Sequence, residues 1–179
     1  PQGGVFVRLE TRGVPARLPD AISKILDLDL ATLRDNALAR VNLDLVDMIR
    51  VTTPASSFEI RRKGDLWVCG DKPVDGLLIQ KMVEALTGAK STGFAPATAD
   101  GLEKNGLSHP PLAVDFYSVV SENTPETTAG EQLVTGLKFG KPLDSGLVPA
   151  LTTGSPEITF IPQKALEAIP LQESAWQVP

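Results

Sequence analysis

Short runs of alternating apolar and polar residues, punctuated by Gly and Pro, dominate the chain. Met48-Ile49-Arg50-Val51-Thr52 alternates and is closed by Pro54; Phe58-Glu59-Ile60-Arg61 alternates cleanly; Leu66-Trp67-Val68-Cys69 follows after Gly64-Asp65. Period-two alternation between tight turns predicts antiparallel strands with one face in water. Residues 112–120 and 132–139 read as a further pair, and Phe94 as part of a short strand. Between them, residues 121–131 are rich in Glu, Thr, Asn and Pro, with Ala129 as the sole apolar anchor, which predicts a variable loop without packing of its own.

Only one stretch has a strong helical period. Leu78, Ile79, Met82, Val83 and Leu86 fall on one face, Asp75 is placed to cap the start, and Gly88 marks the stop, predicting a helix over 76–86. A single helical turn over 100–105, stopped by Gly106, is also expected. Strands, helix, strands, helix without strict βαβ alternation predicts an α+β fold of antiparallel β-meanders with a few short helices.

The head of the chain recurs loosely at its tail. Residues 4–26 run from Gly4 through an apolar stretch to Leu9, a Gly13/Pro15 turn, then Pro19 and a helix bearing Ile22, Ile25 and Leu26. Residues 146–169 repeat that order through Gly146, Leu151, Gly154/Pro156 and Pro162 to a closing helix over 163–169. The offsets are 142 for Gly4/Gly146 and Leu9/Leu151, 141 for Pro15/Pro156 and 143 for Pro19/Pro162, slips that turns absorb. This predicts a hairpin-plus-helix unit at both ends. Residues 1–35 are then the end of a preceding repeat copy and residues 36–179 one complete unit, packed together as a single globular body.

Composition narrows the partners. Acidic and basic residues are interspersed at a net charge of −5, which removes the basic stripe that nucleic-acid binding needs and any polybasic membrane anchor. Arg61-Arg62-Lys63, the densest basic run, reads as a solvated hairpin turn before Gly64. No stretch reaches the ~20 apolar residues of a membrane span, so no direct insertion by this piece is expected. Position 1 is Pro, which reads as an excised or processed piece. Cys69 is the single cysteine and excludes an internal disulfide.

Candidate chemistry is sparse. His109, the single histidine, precedes Pro110-Pro111 with no nucleophile motif beside it and no second His or Cys to complete a zinc set. Cys69 ends an alternating strand and reads as a half-buried small hydrophobe. Gly136-Leu137-Lys138-Phe139-Gly140-Lys141 has three residues between its glycines and Pro142 after the lysine, unlike a phosphate loop, and reads as a strand end. Asp27/Asp29 and Asp44/Asp47 do not continue into a calcium loop, and Asp71/Asp75 suit a helix entry. Trp67 is expected in the core; Trp176 stands in a polar tail, either packed back or leading into further chain. No catalytic, cofactor-binding or metal-ligating residue is assigned.

Several of these segments, in order, resemble the bacterial domain of unknown function 4340 family, described as gliding-motility or ABC-transporter auxiliary proteins. Leu33-Arg34-Asp35-Asn36 is similar to the family's lead-in, residues 46–51 to its first strand, and Phe58-Glu59-Ile60-Arg61-Arg62 with Leu66-Trp67 to its hairpin. Gly106-Leu107-Ser108-His109-Pro110-Pro111 is similar to its element before a central strand, and residues 136–140 and 146–160 to its late strands. The resemblance covers roughly residues 28–169, with Asn105 and Leu147-Val148-Pro149-Ala150 departing from the family's aromatic positions. It implies an envelope protein, extracytoplasmic and anchored by segments outside this chain, and it implies no reaction. A non-enzymatic interaction module, with a membrane complex or another copy as protein partner, is the expectation. The competing expectation is a ligand-binding or hydrolytic domain using acidic residues near the 106–111 turn.

Overall fold

The computed structural model describes residues 5–7, 16–18, 35–120 and 130–178. The chain divides into two compact units, Pro1–Asp35 and Asn36–Pro179. In the first, strand β1 (Val5–Val7) pairs antiparallel with β2 (Ala16–Leu18), Val5 opposite Leu18. The helix expected over 19–26 and the Asp27/Asp29 pair lie outside the described residues.

The second unit is built on one antiparallel sheet. Strands β3 (Met48–Thr52), β4 (Ser57–Lys63), β5 (Leu66–Cys69) and β6 (Lys72–Val74) form a first meander. Helix α1 (Gly76–Gly88) follows, then β7 (Gly93–Pro96) and helix α2 (Ala99–Lys104). A second meander comprises β8 (Leu112–Val120), β9 (Gly130–Phe139), β10 (Leu147–Thr152) and β11 (Glu157–Pro162). The strand order is β6-β5-β4-β3-β8-β9-β10-β11-β7, so β3 against β8 joins the two meanders and β7 closes the far edge. Mostly antiparallel sheet with two helices and short 3-10 turns, the unit is α+β.

Alternation sets the two faces. Ile49 and Val51 of β3, Phe58 and Ile60 of β4, Val114 and Phe116 of β8 and Leu137 and Phe139 of β9 turn inward. They meet the stripe Ile79, Met82, Val83 and Leu86 of α1, whose first turn is capped by Asp75 Oδ1 accepting from the Leu77 N–H at 2.9 Å. Fully burying each such apolar side chain contributes about 1.5–3 kcal/mol. Trp176 completes this core: it is wholly buried, its indole N–H donates to the Pro170 carbonyl at 3.0 Å, and the chain after it lies along β6. That β6 edge tolerates Pro73, because an edge strand can spare one N–H. On the opposite face, Ile158 and Leu107 are buried outside the main core, and α2 lies against that part of the sheet.

Three expectations are corrected. The closing helix over 163–169 is a single 3-10 turn, Gln163–Leu166, with no side-chain cap from Pro162 and with Pro170 just beyond. Arg61-Arg62-Lys63 is not a turn but the end of β4; Gly64-Asp65 makes the turn, Gly64 taking φ 63°. Strand β9 starts at Gly130, so Gly130 and Glu131 belong to the sheet and not to the connecting loop.

Close approach of α2 to the sheet rests on two glycines. A methyl at Gly101 would stand 2.6 Å from the Pro96 carbonyl oxygen, and one at Gly140 would overlap the Asn105 carbonyl oxygen that ends α2. Backbone atoms cannot step aside as side-chain tips do. Gly140→Ala is therefore expected to lower stability by about 1–3 kcal/mol, read as a reduced urea midpoint at unchanged slope. Gly88→Ala, where a methyl meets nothing within 4 Å, should stay within about 1 kcal/mol of the parent.

Candidate functional site

The outer face of β4, β3, β8 and β9 carries charge in cross-strand rows. One row reads Glu59, Arg50, Asp115, Gly136; the next reads Arg61, Met48, Tyr117, Leu133. The Arg50 guanidinium donates to Glu59 Oε1 through Nε at 3.0 Å and Nη2 at 2.8 Å, and to the Tyr117 hydroxyl at 2.9 Å. Arg61 donates to the other Glu59 oxygen at 2.6 Å and to Glu131 Oε1 at 2.7 Å, while Arg50 reaches Glu131 Oε2 at 3.3 Å. Two cations and two carboxylates thus close a ring that ties β9 to β3 and β4 over the top of β8. In the second row Met48, between Arg61 and Tyr117, is fully buried although it faces outward.

Hydrogen bonds from Arg50 and then Arg61 hold the Glu59 carboxyl below the usual carboxylate range. Asp115, in the same row, moves the other way: burial pushes it up against the pull of Arg50 and Lys138. Its carboxylate and the Thr153 hydroxyl crowd the α-carbon of Gly136, where a side chain would find oxygens at 2.5 and 2.6 Å.

Beside this face β5 stops short. It pairs with Ile60–Lys63 of β4 and leaves Ser57–Glu59 without a strand on that side, opening a hollow of about 550 Å³. Glu59, Arg61, Lys63, Asp71 and Glu173 line it, with Cys69 at its wall. Burial, with Glu173 nearby, pushes the Cys69 thiol up to about 11. A thiol so placed is protonated near neutrality and is a poor nucleophile.

The β8–β9 hairpin extends past its neighbours. On one side β3 covers Ala113–Tyr117 only; on the other, β10 pairs with Leu137, Lys138 and Phe139 only, and Gly136 bonds the Thr153 amide through its carbonyl. Asp47 Oδ2 accepts from the Val119 N–H at 2.8 Å and caps the β8 side of this arm. Nothing among the described residues pairs with the outer edge of β9 over 130–135. Val119, Leu133 and Val134 are 47%, 40% and 40% exposed there, and a bulge falls opposite Phe116/Tyr117.

The residues singled out from sequence are scattered. His109 is exposed on the bend between α2 and β8, and Asp100 pairs with Lys104 across one exposed helical turn at 2.8 Å. Asp75 caps α1, Asp71 lines the hollow, Asp47 caps the arm and Asp44 is exposed, its amide bonded to Asn42. Residues 136–141 form the end of β9 and the following turn. Trp67 is half-buried, with Arg62 stacked on its ring at 4.8 Å. Among the described residues no three His, Cys, Asp or Glu gather into a metal-holding group, and no helix is long and apolar enough to cross a membrane. Comparison with family models, curated proteins and solved structures gives no match.

Two measurements follow from these environments. Ellman's reagent at mild alkaline pH should leave Cys69 unmodified in the folded chain and react at once when denaturant unfolds it; rapid labelling of the native protein contradicts the buried, protonated thiol. Because Glu59 titrates below its ordinary value of 4.5, its ion pairs stabilise fully above that pH and are lost as pH falls through the lowered value. Urea midpoints of Glu59→Gln should therefore be lower than the parent's near neutrality and converge on it in acid.

Proposed function

We propose that this chain is a non-enzymatic protein-interaction module of a bacterial envelope protein. The observation that carries the reading is the β8–β9 arm: a strand edge that no described residue pairs with over 130–135, with apolar side chains exposed at its flanks and its base fastened by the Arg50–Glu59–Arg61–Glu131 ring. An open edge bonds an added strand through its backbone, and exposed side chains choose which strand. The four charges of the ring satisfy one another, so the ring offers little unbalanced charge to attract a nucleic acid or a free anion. The resemblance to the domain of unknown function 4340 family supplies the setting: extracytoplasmic, held by membrane segments elsewhere in the precursor, within a gliding-motility or transporter-associated complex. The hairpins β1–β2 and β10–β11 are read as two copies of one recurring unit.

A photo-crosslinking residue at position 133 of the full precursor tests the reading in cells. Light should convert the chain into a discrete covalent adduct with a protein, and the same probe at exposed Leu77 of α1 should not. Absence of an adduct at 133, or equal adducts at both positions, overturns it.

A further inference from the structure

We propose that the hollow between β4 and β5 captures the free N-terminus of another polypeptide, whose first three residues add an antiparallel strand along Ser57–Glu59. The site stands apart from the β9 arm and does not depend on it. Its basis is the unequal reach of two neighbouring hairpins. The β3–β4 hairpin keeps one register from Met48 opposite Arg61 to Thr52 opposite Ser57, without a bulge. The β5–β6 hairpin turns back earlier, with Cys69 opposite Lys72 and Gly70 at φ 61°. The Arg62 amide bonds the Asp47 carbonyl and the Thr53 amide bonds the Ser56 carbonyl, so the even-numbered residues of β4 bond β3. The N–H and C=O of Ser57 and Glu59 therefore point the other way, into the hollow of about 550 Å³, where no described residue bonds them. Lysine and proline, the usual guards of an open edge, are absent from 57–59.

The turn at Gly70 decides what can fill this edge. Cys69 stands opposite Ile60, so the ladder position facing Glu59 lies against Gly70 and Asp71, and an added strand cannot run on past it. A chain end must meet the turn. A strand antiparallel to β4 meets it with its N-terminus, a parallel one with its C-terminus. Charge selects between them. Asp71 and Glu173 both line the hollow, and Glu173 Oε1 lies 3.6 Å from where a methyl on Gly70 would stand. Two carboxylates so placed attract an ammonium and repel a carboxylate. Lys63, the lining cation outside the ion ring, is at the opposite end of β4. The terminal residue takes the position facing Glu59, its nitrogen donating to that carbonyl and its own carbonyl accepting from that amide, with the remaining ammonium protons directed at the carboxylates. The second residue shares the inner side of the sheet with buried Phe58 and is apolar. Amine capture and strand addition are thus combined in one site.

Amide NMR spectra of the purified chain, titrated with the tripeptide threonyl-valyl-threonine amide, test the proposal. Saturable shifts are expected at the Ser57, Glu59 and Gly70 amides. Acetylating the peptide's amino group should weaken binding roughly fivefold or more, the loss of a charge-assisted contact. The double variant Asp71→Asn, Glu173→Gln should weaken binding of the free peptide by a similar factor and leave the acetylated peptide's affinity unchanged. Both side chains are exposed, so the rest of the spectrum should stay that of the parent. Absence of shifts at these amides at millimolar peptide, equal binding of the acetylated peptide, or a double variant that binds as the parent does overturns the proposal. The crosslinking result at position 133 bears on the β9 arm alone, so either reading can fail without the other.

Discussion

The antiparallel contact of β3 with β8 is the constraint on which the second unit depends. It joins two sequence-local meanders into one sheet and fixes which side of each strand is dry. Ile49 stands opposite Phe116 and Val51 opposite Val114 on the inner face, while Arg50 stands opposite Asp115 and Met48 opposite Tyr117 outside. A slip by one residue would carry Arg50 into the space filled by α1 and expel Ile49 to water, so the register is strongly specified. The same register aligns the charged rows.

Those rows show how a sheet face can be polar and yet closed. Each exposed ion pair is individually worth little, typically below about 1 kcal/mol. Here four charged groups share partners, and the ordering of one side chain serves two contacts. What the ring achieves is positional: Glu131 belongs to β9, separated from β4 by β3 and β8, and its bonds to Arg50 and Arg61 span the breadth of β8. The base of the arm is therefore held by side chains at the level where its backbone neighbours have ended. Under the proposed interaction reading this stiffening matters, since ordering an edge before contact lowers the entropy lost on association.

Much of this architecture was legible because alternation and helical period are direct consequences of burial. The meander 48–69, helix α1 with its Asp75 cap, and the β8–β9 and β10–β11 pairs follow from residue patterns alone. Other elements were hidden for identifiable reasons. Strand β6 is three residues long and contains Pro73, so it reads as a helix entry. Arg61-Arg62-Lys63 looked solvated because charge in a row suggests a turn; in the sheet Arg61 lies on one face among carboxylates and Arg62 on the other against Trp67. The ion ring was invisible, since it joins Arg50 to Glu131 across 81 positions and Glu131 sits beside a loop-like composition. Trp176 lacked periodic neighbours because a single buried anchor in an irregular tail leaves no repeat to detect.

Strand β7 illustrates how chain order and sheet order diverge. It is synthesised before β8, yet its partner is β11, the last strand among the described residues, with Phe94 opposite Thr159. Such distant pairings pay loop-closure entropy before contacts reward it and slow folding. During synthesis β7 must therefore wait, unpaired on that side, until the β10–β11 hairpin emerges. The rim of the sheet that β7 forms is thus completed only after both meanders have been made, which makes it a late step relative to the first meander.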